Sequence, residues 1–199
     1  NMGVITSLVG HGDHVFLDRF IHASIVDAAV NSRAKTHRFY HHDCEHLSEV
    51  LNKVKGGRRL IIIEALYRMD GDEAALEDIV TVAERYDAMI MVDEAHATGV
   101  IGPGGRGLVS KHDLMNHVNV SGGTLSKALG GYGGFNACSH RIRDLCVNKA
   151  RTLIYSTAPS PASAGAALGA LQVIVQNPSF GALLLQRACA FRKRLGDAG

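Results

Sequence analysis

The sequence predicts an α/β fold, a mostly parallel sheet with helices on both faces. Three observations carry that expectation. Residues 60–64 and 88–92 are uninterrupted apolar runs, as strands buried on both faces require. Stretches of helical period alternate with them at a spacing that suits β-α-β crossovers. Polar residues cluster where these strands end, and open parallel sheets bind ligands beyond the carboxyl ends of their strands.

In chain order, residues 2–9 read as the end of a helix, closed by Gly10 and Gly12, and 14–17 as a short strand ending at Asp18. Residues 24–30 carry Ile25, Val26, Ala29 and Val30 in helical period, with His22 at the strand-to-helix turn. A strand at 36–40 leads into a helix at 44–54, whose Leu47, Val50, Leu51 and Val54 share a face before Gly56 and Gly57 stop it. Strand 60–64 gives way to the turn 68–72 and an acidic helix over 73–86. Strand 88–92 breaks into Asp93-Glu94-Ala95-His96 and a glycine-rich loop, 98–107. A strand at 118–120 feeds a glycine-crowded loop, 121–135, and 135–139 is expected to return as another strand. The remainder reads as helical: 141–150, then the turn 155–161, then 162–175, then a last amphipathic helix from Phe180.

With 199 residues, 46% hydrophobic content and 20% charged residues, the chain has an ordinary globular composition and can bury one substantial core. A scattered net charge of +2 points to neither nucleic acid nor an anionic membrane as a partner. Cys44, Cys138, Cys146 and Cys189 form no C-x-x-C pair, so they read as core thiols of a reducing, cytoplasmic setting. The apolar run 162–175 is shorter than the about 20 residues of a bilayer span, and the opening residues carry no signal-peptide pattern. Asn1 is no natural start, and the sequence is expected to be a segment of a longer protein.

The chemistry centres on Lys127, the only charge in 121–135, set among six glycines with Thr124 and Ser126 beside it. A lysine amine joins an aldehyde as a Schiff base, and hydroxyls with free backbone N–H groups cradle a phosphate, so pyridoxal phosphate (PLP) is the candidate cofactor. A solvated turn is the plain alternative. Asp93, at the tip of an apolar strand with His96 following, can sit beneath a pyridine nitrogen and keep it protonated; a helix N-cap is the structural alternative.

Other chemistries fit less well. A P-loop needs Gly-Lys-Ser/Thr after four spacer residues, whereas Lys127 follows Ser126, and a G-x-G-x-x-G pattern begun at Gly131 meets Asn136. Residues 92–96 also look like the Walker B segment of DEAH-type helicases, yet no P-loop or basic, aromatic face accompanies them. His37, His41, His42, Asp43 and His46 crowd together without a common zinc spacing, so no metal site is assigned and 41–43 is read as a strand-to-helix turn.

Five segments in order, 18–28, 64–72, 92–107, 123–135 and 153–161, resemble the α-oxoamine synthases, fold-type I enzymes that use PLP. The resemblance covers nearly the whole chain and is strongest to the biotin-pathway branch; the sphingoid-base, 5-aminolevulinate and 2-amino-3-ketobutyrate branches are the near competitors. It implies a decarboxylative condensation of an amino acid, L-alanine, with an acyl thioester such as pimeloyl-CoA or pimeloyl carrier protein. It also implies that Lys127 holds the cofactor and later moves the substrate Cα proton, that His22 stacks on the cofactor ring, and that Asp93 pairs with the pyridine nitrogen. His96 would meet the 3′-oxygen and Thr124 the phosphate. Ser156 and Thr157 would reach the phosphate of a neighbouring subunit in a homodimer with its sites at the interface. On the same basis residues 1–176 are the PLP-binding large domain without its N-terminal part, and 177–199 are a linker and the start of an absent C-terminal domain. Arg68 departs from the family pattern, which has serine there.

Overall fold

Alternate side chains of the central strands point to opposite faces, and both sets are apolar, so the sheet has to be covered twice. The computed structural model describes residues 1–197, and among them six strands form one sheet. The order is β2 (Lys35–Phe39), β1 (His14–Asp18), β3 (Arg59–Glu64), β4 (Met89–Asp93), β5 (Val120–Thr124), β6 (Gly134–Cys138). Every pairing up to β5 is parallel. Only β6 runs antiparallel, because the segment from β5 is a short hairpin loop with no room for a crossover helix.

Ile61 and Ile63 pack on one face with Leu47 and Leu51 of α3 (Cys44–Asn52) and Ile79 and Ala83 of α4 (Leu76–Arg85). Leu60 and Ile62 pack on the other with Ile5 and Leu8 of α1 (Met2–Leu8) and Ile25 and Ala29 of α2 (Ala23–Ser32). These side chains are almost fully buried, and each leucine and isoleucine contributes roughly 1.5–3 kcal/mol of transfer free energy. The register then sets the functional edge, since Glu64 lies opposite Asp93, and Asp93 opposite Gly122, at the carboxyl ends of β3, β4 and β5.

Two boundaries depart from the expectation for physical reasons. The strand expected at 118–120 runs instead from Val120 through Thr124, so Ser121, Gly122 and Gly123 belong to the sheet and the loop proper starts at Leu125. The space a Cβ would need at Gly123 is filled by the Phe135 ring, and at Gly122 it is closed by the Asn136 carboxamide, so β6 supplies the side chains that β5 lacks. The acidic helix expected from residue 73 starts at Leu76, because Glu73 bridges to Leu66 and the Ala74 N–H donates to the Ala65 carbonyl.

Beyond β6 come α5's later companions in the chain, α6 (His140–Lys149), α7 (Arg151–Ile154), α8 (Pro161–Gln176) and α9 (Phe180–Asp197); α5 itself is the short helix Leu108–Lys111. Ser139 and Ser160 cap α6 and α8 through their hydroxyls. α8 and α9 bury only Ala167 and Gly181, leaving Leu168, Leu171, Val175, Leu184 and Phe191 exposed. Among the described residues no single helix is long and apolar enough to cross a membrane; α8 and α9 pass that test only as a pair, bent by 81°. The last two positions of the expected segment 177–199 lie outside the described residues.

Candidate active site

The buried strand β4 delivers Asp93 to the carboxyl edge of the sheet, and the chain turns there because the Asp93 Oδ1 accepts the Ala95 N–H at 2.9 Å. Its other oxygen, Oδ2, accepts from the Asn1 side-chain amide at 3.2 Å. The same turn buries Glu94, whose carboxylate accepts the N–H groups of Leu108 and Val109 at 3.0 and 2.9 Å. Glu94 therefore closes the glycine-rich loop 98–107 behind the edge.

His96, one residue beyond Ala95, meets Lys127 across the edge, with Nε2 2.8 Å from Nζ. Partial burial, then the neighbouring Lys127 ammonium, hold the His96 imidazole below its ordinary pKa, so it stands neutral and accepts from the amine. The Lys127 loop is fixed by its own backbone: Leu125 N–H donates to Gly133 O at 2.9 Å and Gly131 N–H to Leu125 O at 2.7 Å. Gly130 and Gly133, at φ 59 and 114, make those turns possible. Thr124 Oγ1 lies 2.8 Å from Ser126 Oγ and also accepts the Ser126 N–H at 3.2 Å, which leaves two hydroxyls side by side next to the lysine.

His22 caps α2, its Nδ1 lying 2.8 Å from Ser24 Oγ, and faces Glu64. Together His22, Glu64, Asp93, His96, Thr124 and Lys127 line a cavity of about 260 Å³. Asn1, Asp93, Ala95 and Thr124 also line a second cavity, of about 640 Å³, walled by Gly122, Gly123 and α6. The larger of the two is within the usual size of a cofactor site, about 300–1,000 Å³. An amine, a carboxylate, a neutral imidazole and paired hydroxyls on a glycine floor that side chains would block suit an anionic carbonyl compound with a basic ring nitrogen, so the residues fit PLP.

Comparison with known proteins agrees with this geometry. The family model for aminotransferase class I and II matches residues 1–199. The chain belongs to the aminotransferase class I and II family. Within that family it is 43% identical over 203 residues to an 8-amino-7-oxononanoate synthase of Citrifermentans bemidjiense, covering 100% of this chain and 52% of the relative. A serine palmitoyltransferase structure from Sphingomonas wittichii superposes with a TM-score of 0.94 at 31% identity, over 100% of this chain and 50% of that one. Another, from S. paucimobilis and solved with a bound PLP–myriocin aldimine, gives 0.84 at 33% identity over 87% of this chain and 44% of that one. The chain spans about half the length of the curated relatives it matches.

In this class I and II chain, five of the expected site residues, His22, Asp93, His96, Thr124 and Lys127, line one cavity. Ser156 and Thr157 do not join them. They are exposed between α7 and α8 and line neither cavity. Asp18, expected on the rim with His22, is buried and turned away, accepting the Phe20 N–H at 2.8 Å and bonding His41 at 2.9 Å. Arg68 is exposed and lines neither cavity, yet is close enough for its charge to be felt at Glu64 and His96. Glu64 and Asn1 went unrecognised in the sequence; for Glu64 the signal was a lone carboxylate ending an apolar strand, whereas Asn1 gave none.

Burial, reinforced by the Asp93 charge, raises the Glu64 carboxyl from 4.5 to about 7. The folded state thus binds this proton more tightly than the unfolded chain does. The resulting stability is complete below pH 4.5 and is lost as pH rises through about 7, a change on the order of 3 kcal/mol. In the full-length apoprotein, Glu64→Gln is expected to raise the urea midpoint at pH 8, with the difference fading toward pH 5. A difference of the same size at both pH values would contradict the assignment.

Proposed function

We propose that the chain is the cofactor-binding half of a PLP-dependent acyltransferase, which condenses L-alanine with a pimeloyl thioester and releases carbon dioxide. The observation that carries this reading is Lys127 Nζ at 2.8 Å from a neutral His96, in the cavity that also holds Asp93. Curated relatives 43–47% identical to the chain carry the name 8-amino-7-oxononanoate synthase, which supports the choice of substrates.

PLP, when bound, supplies a carbonyl that takes up an amine and a ring that accepts the electron pair left at the substrate Cα. Lys127 holds the group through its amine and moves a proton at Cα, a service worth about 10²–10⁴ in rate. His96 accepts a hydrogen bond from that amine and would offer its ring nitrogen to an oxygen of the bound group. Asp93 would hold a protonated ring nitrogen where it now takes the Asn1 amide. Thr124, with Ser126, would offer hydroxyls to the phosphate, and His22, which lines the same cavity, would stack on the ring.

Residues 1–176 act as the cofactor-binding unit and 177–199 as the link to a C-terminal domain, a division supported by the break between α8 and α9. The protein works as a cytoplasmic homodimer in which Ser156 and Thr157 reach the partner's phosphate; their exposure, and the uncovered apolar side chains of α8 and α9, support it. The test is substrate profiling of the full-length protein. Alanine with pimeloyl-CoA is expected to react fastest, and a preference for serine with palmitoyl-CoA would reassign the substrates.

A further inference from the structure

A second cluster lies apart from the lysine cavity, none of its members lining it. His41 and His42 come from the turn between β2 and α3, and Asp72 from the loop between β3 and α4. Although 30 residues separate Asp72 from His42, both imidazoles aim Nε2 at the same oxygen, Asp72 Oδ2, with His41 at 2.8 Å. The three donor atoms lie within 4.8 Å of one another. The other carboxylate oxygen, Asp72 Oδ1, is buried without a partner. Two imidazole nitrogens and a carboxylate oxygen brought this close together can share one cation.

The surroundings fit a ligand set as well. His41 Nδ1 lies 2.9 and 3.1 Å from the two oxygens of buried Asp18, which orients the ring so that Nε2 faces Asp72; a carboxylate behind an imidazole is the usual support of a metal-bound histidine. Tyr67 packs edge-on against the His41 ring at 4.5 Å between centroids and walls the site from the core. The left-handed backbone at His42, φ 58, brings its ring to 4.0 Å from that of His41, and its partial exposure leaves a path for entry.

We propose that His41, His42 and Asp72 bind a divalent first-row transition cation, zinc being the natural match for two imidazoles and one carboxylate. Ligand bonds of about 2.0–2.2 Å span donors up to about 4 Å apart, which a small rotation of the exposed His42 ring supplies. The bound ion ties the loop between β3 and α4 to the β2–α3 turn.

Calorimetric titration of the untagged, PLP-loaded full-length protein with ZnCl₂ tests this without reference to activity. One zinc per chain is expected. His42→Asn keeps a residue type that tolerates the left-handed turn and should weaken binding about 10-fold or more, with the melting temperature of the metal-free protein unchanged. Asp72→Asn should weaken it as well. No stoichiometric zinc, or equal affinity in the wild type and a folded His42→Asn or Asp72→Asn variant, would overturn the proposal and leave the cluster as a hydrogen-bonded turn.

Discussion

Lys127→Ala is expected to lower the condensation rate of the full-length protein by about 10³-fold or more while leaving its fold intact. Both parts follow from where the side chain sits. Among the described residues Lys127 is the only lysine lining the cavity, so its loss removes the nucleophile that holds the cofactor and also the group that moves the Cα proton. The rest of the side chain is exposed, its one hydrogen-bonding partner is His96, and the loop is held by Leu125, Gly131 and Gly133 through backbone bonds the substitution does not touch. The measurement is turnover with alanine and pimeloyl-CoA beside the melting temperature of the apoprotein. Equal rates would remove Lys127 from the mechanism. Lost activity together with a large drop in melting temperature would assign it a structural role instead.

The second large effect is on stability. Glu94→Ala is expected to cost about 3–5 kcal/mol, because two buried donors, the N–H groups of Leu108 and Val109, lose their only acceptor. Burial pushes the Glu94 carboxyl up, so the charge is tolerated there only through those two bonds. Gly107 lets the loop approach: its φ is +96, and a Cβ there would come within 2.5 Å of Glu94 Oε2. Gly107→Ala should therefore reproduce much of the loss, whereas Glu94→Gln, which keeps one carbonyl acceptor, should fall between. Denaturant titration of the PLP-loaded full-length protein measures all three. A cost below about 1 kcal/mol for Glu94→Ala would mean that other contacts hold loop 98–107.

The parts legible in the sequence were those set by local pattern. Apolar runs such as 60–64 and 88–92 admit few alternatives to strands buried on both faces, and their polar ends fall at one edge whatever the details of the crossovers. The lysine among glycines stood out because it is the only charge in 121–135. What the sequence hid depends on partners distant along the chain. Gly122 and Gly123 look like loop until β6 supplies Phe135 and Asn136 to fill the space above them. Asp18 looks like a rim residue until His41 claims it, and Asp72 gives no sign of meeting His41 and His42. Glu64 acquires its raised pKa only from burial and from Asp93 on the neighbouring strand.

The central claim is that the Lys127 amine forms the covalent link to PLP at the carboxyl edge of the sheet. Borohydride reduction of the PLP-loaded full-length protein, followed by peptide mass mapping, tests it directly. A single reduced pyridoxyl adduct on the peptide bearing Lys127 is the expected result. An adduct on another lysine, or a protein that takes up no PLP at all, would contradict it.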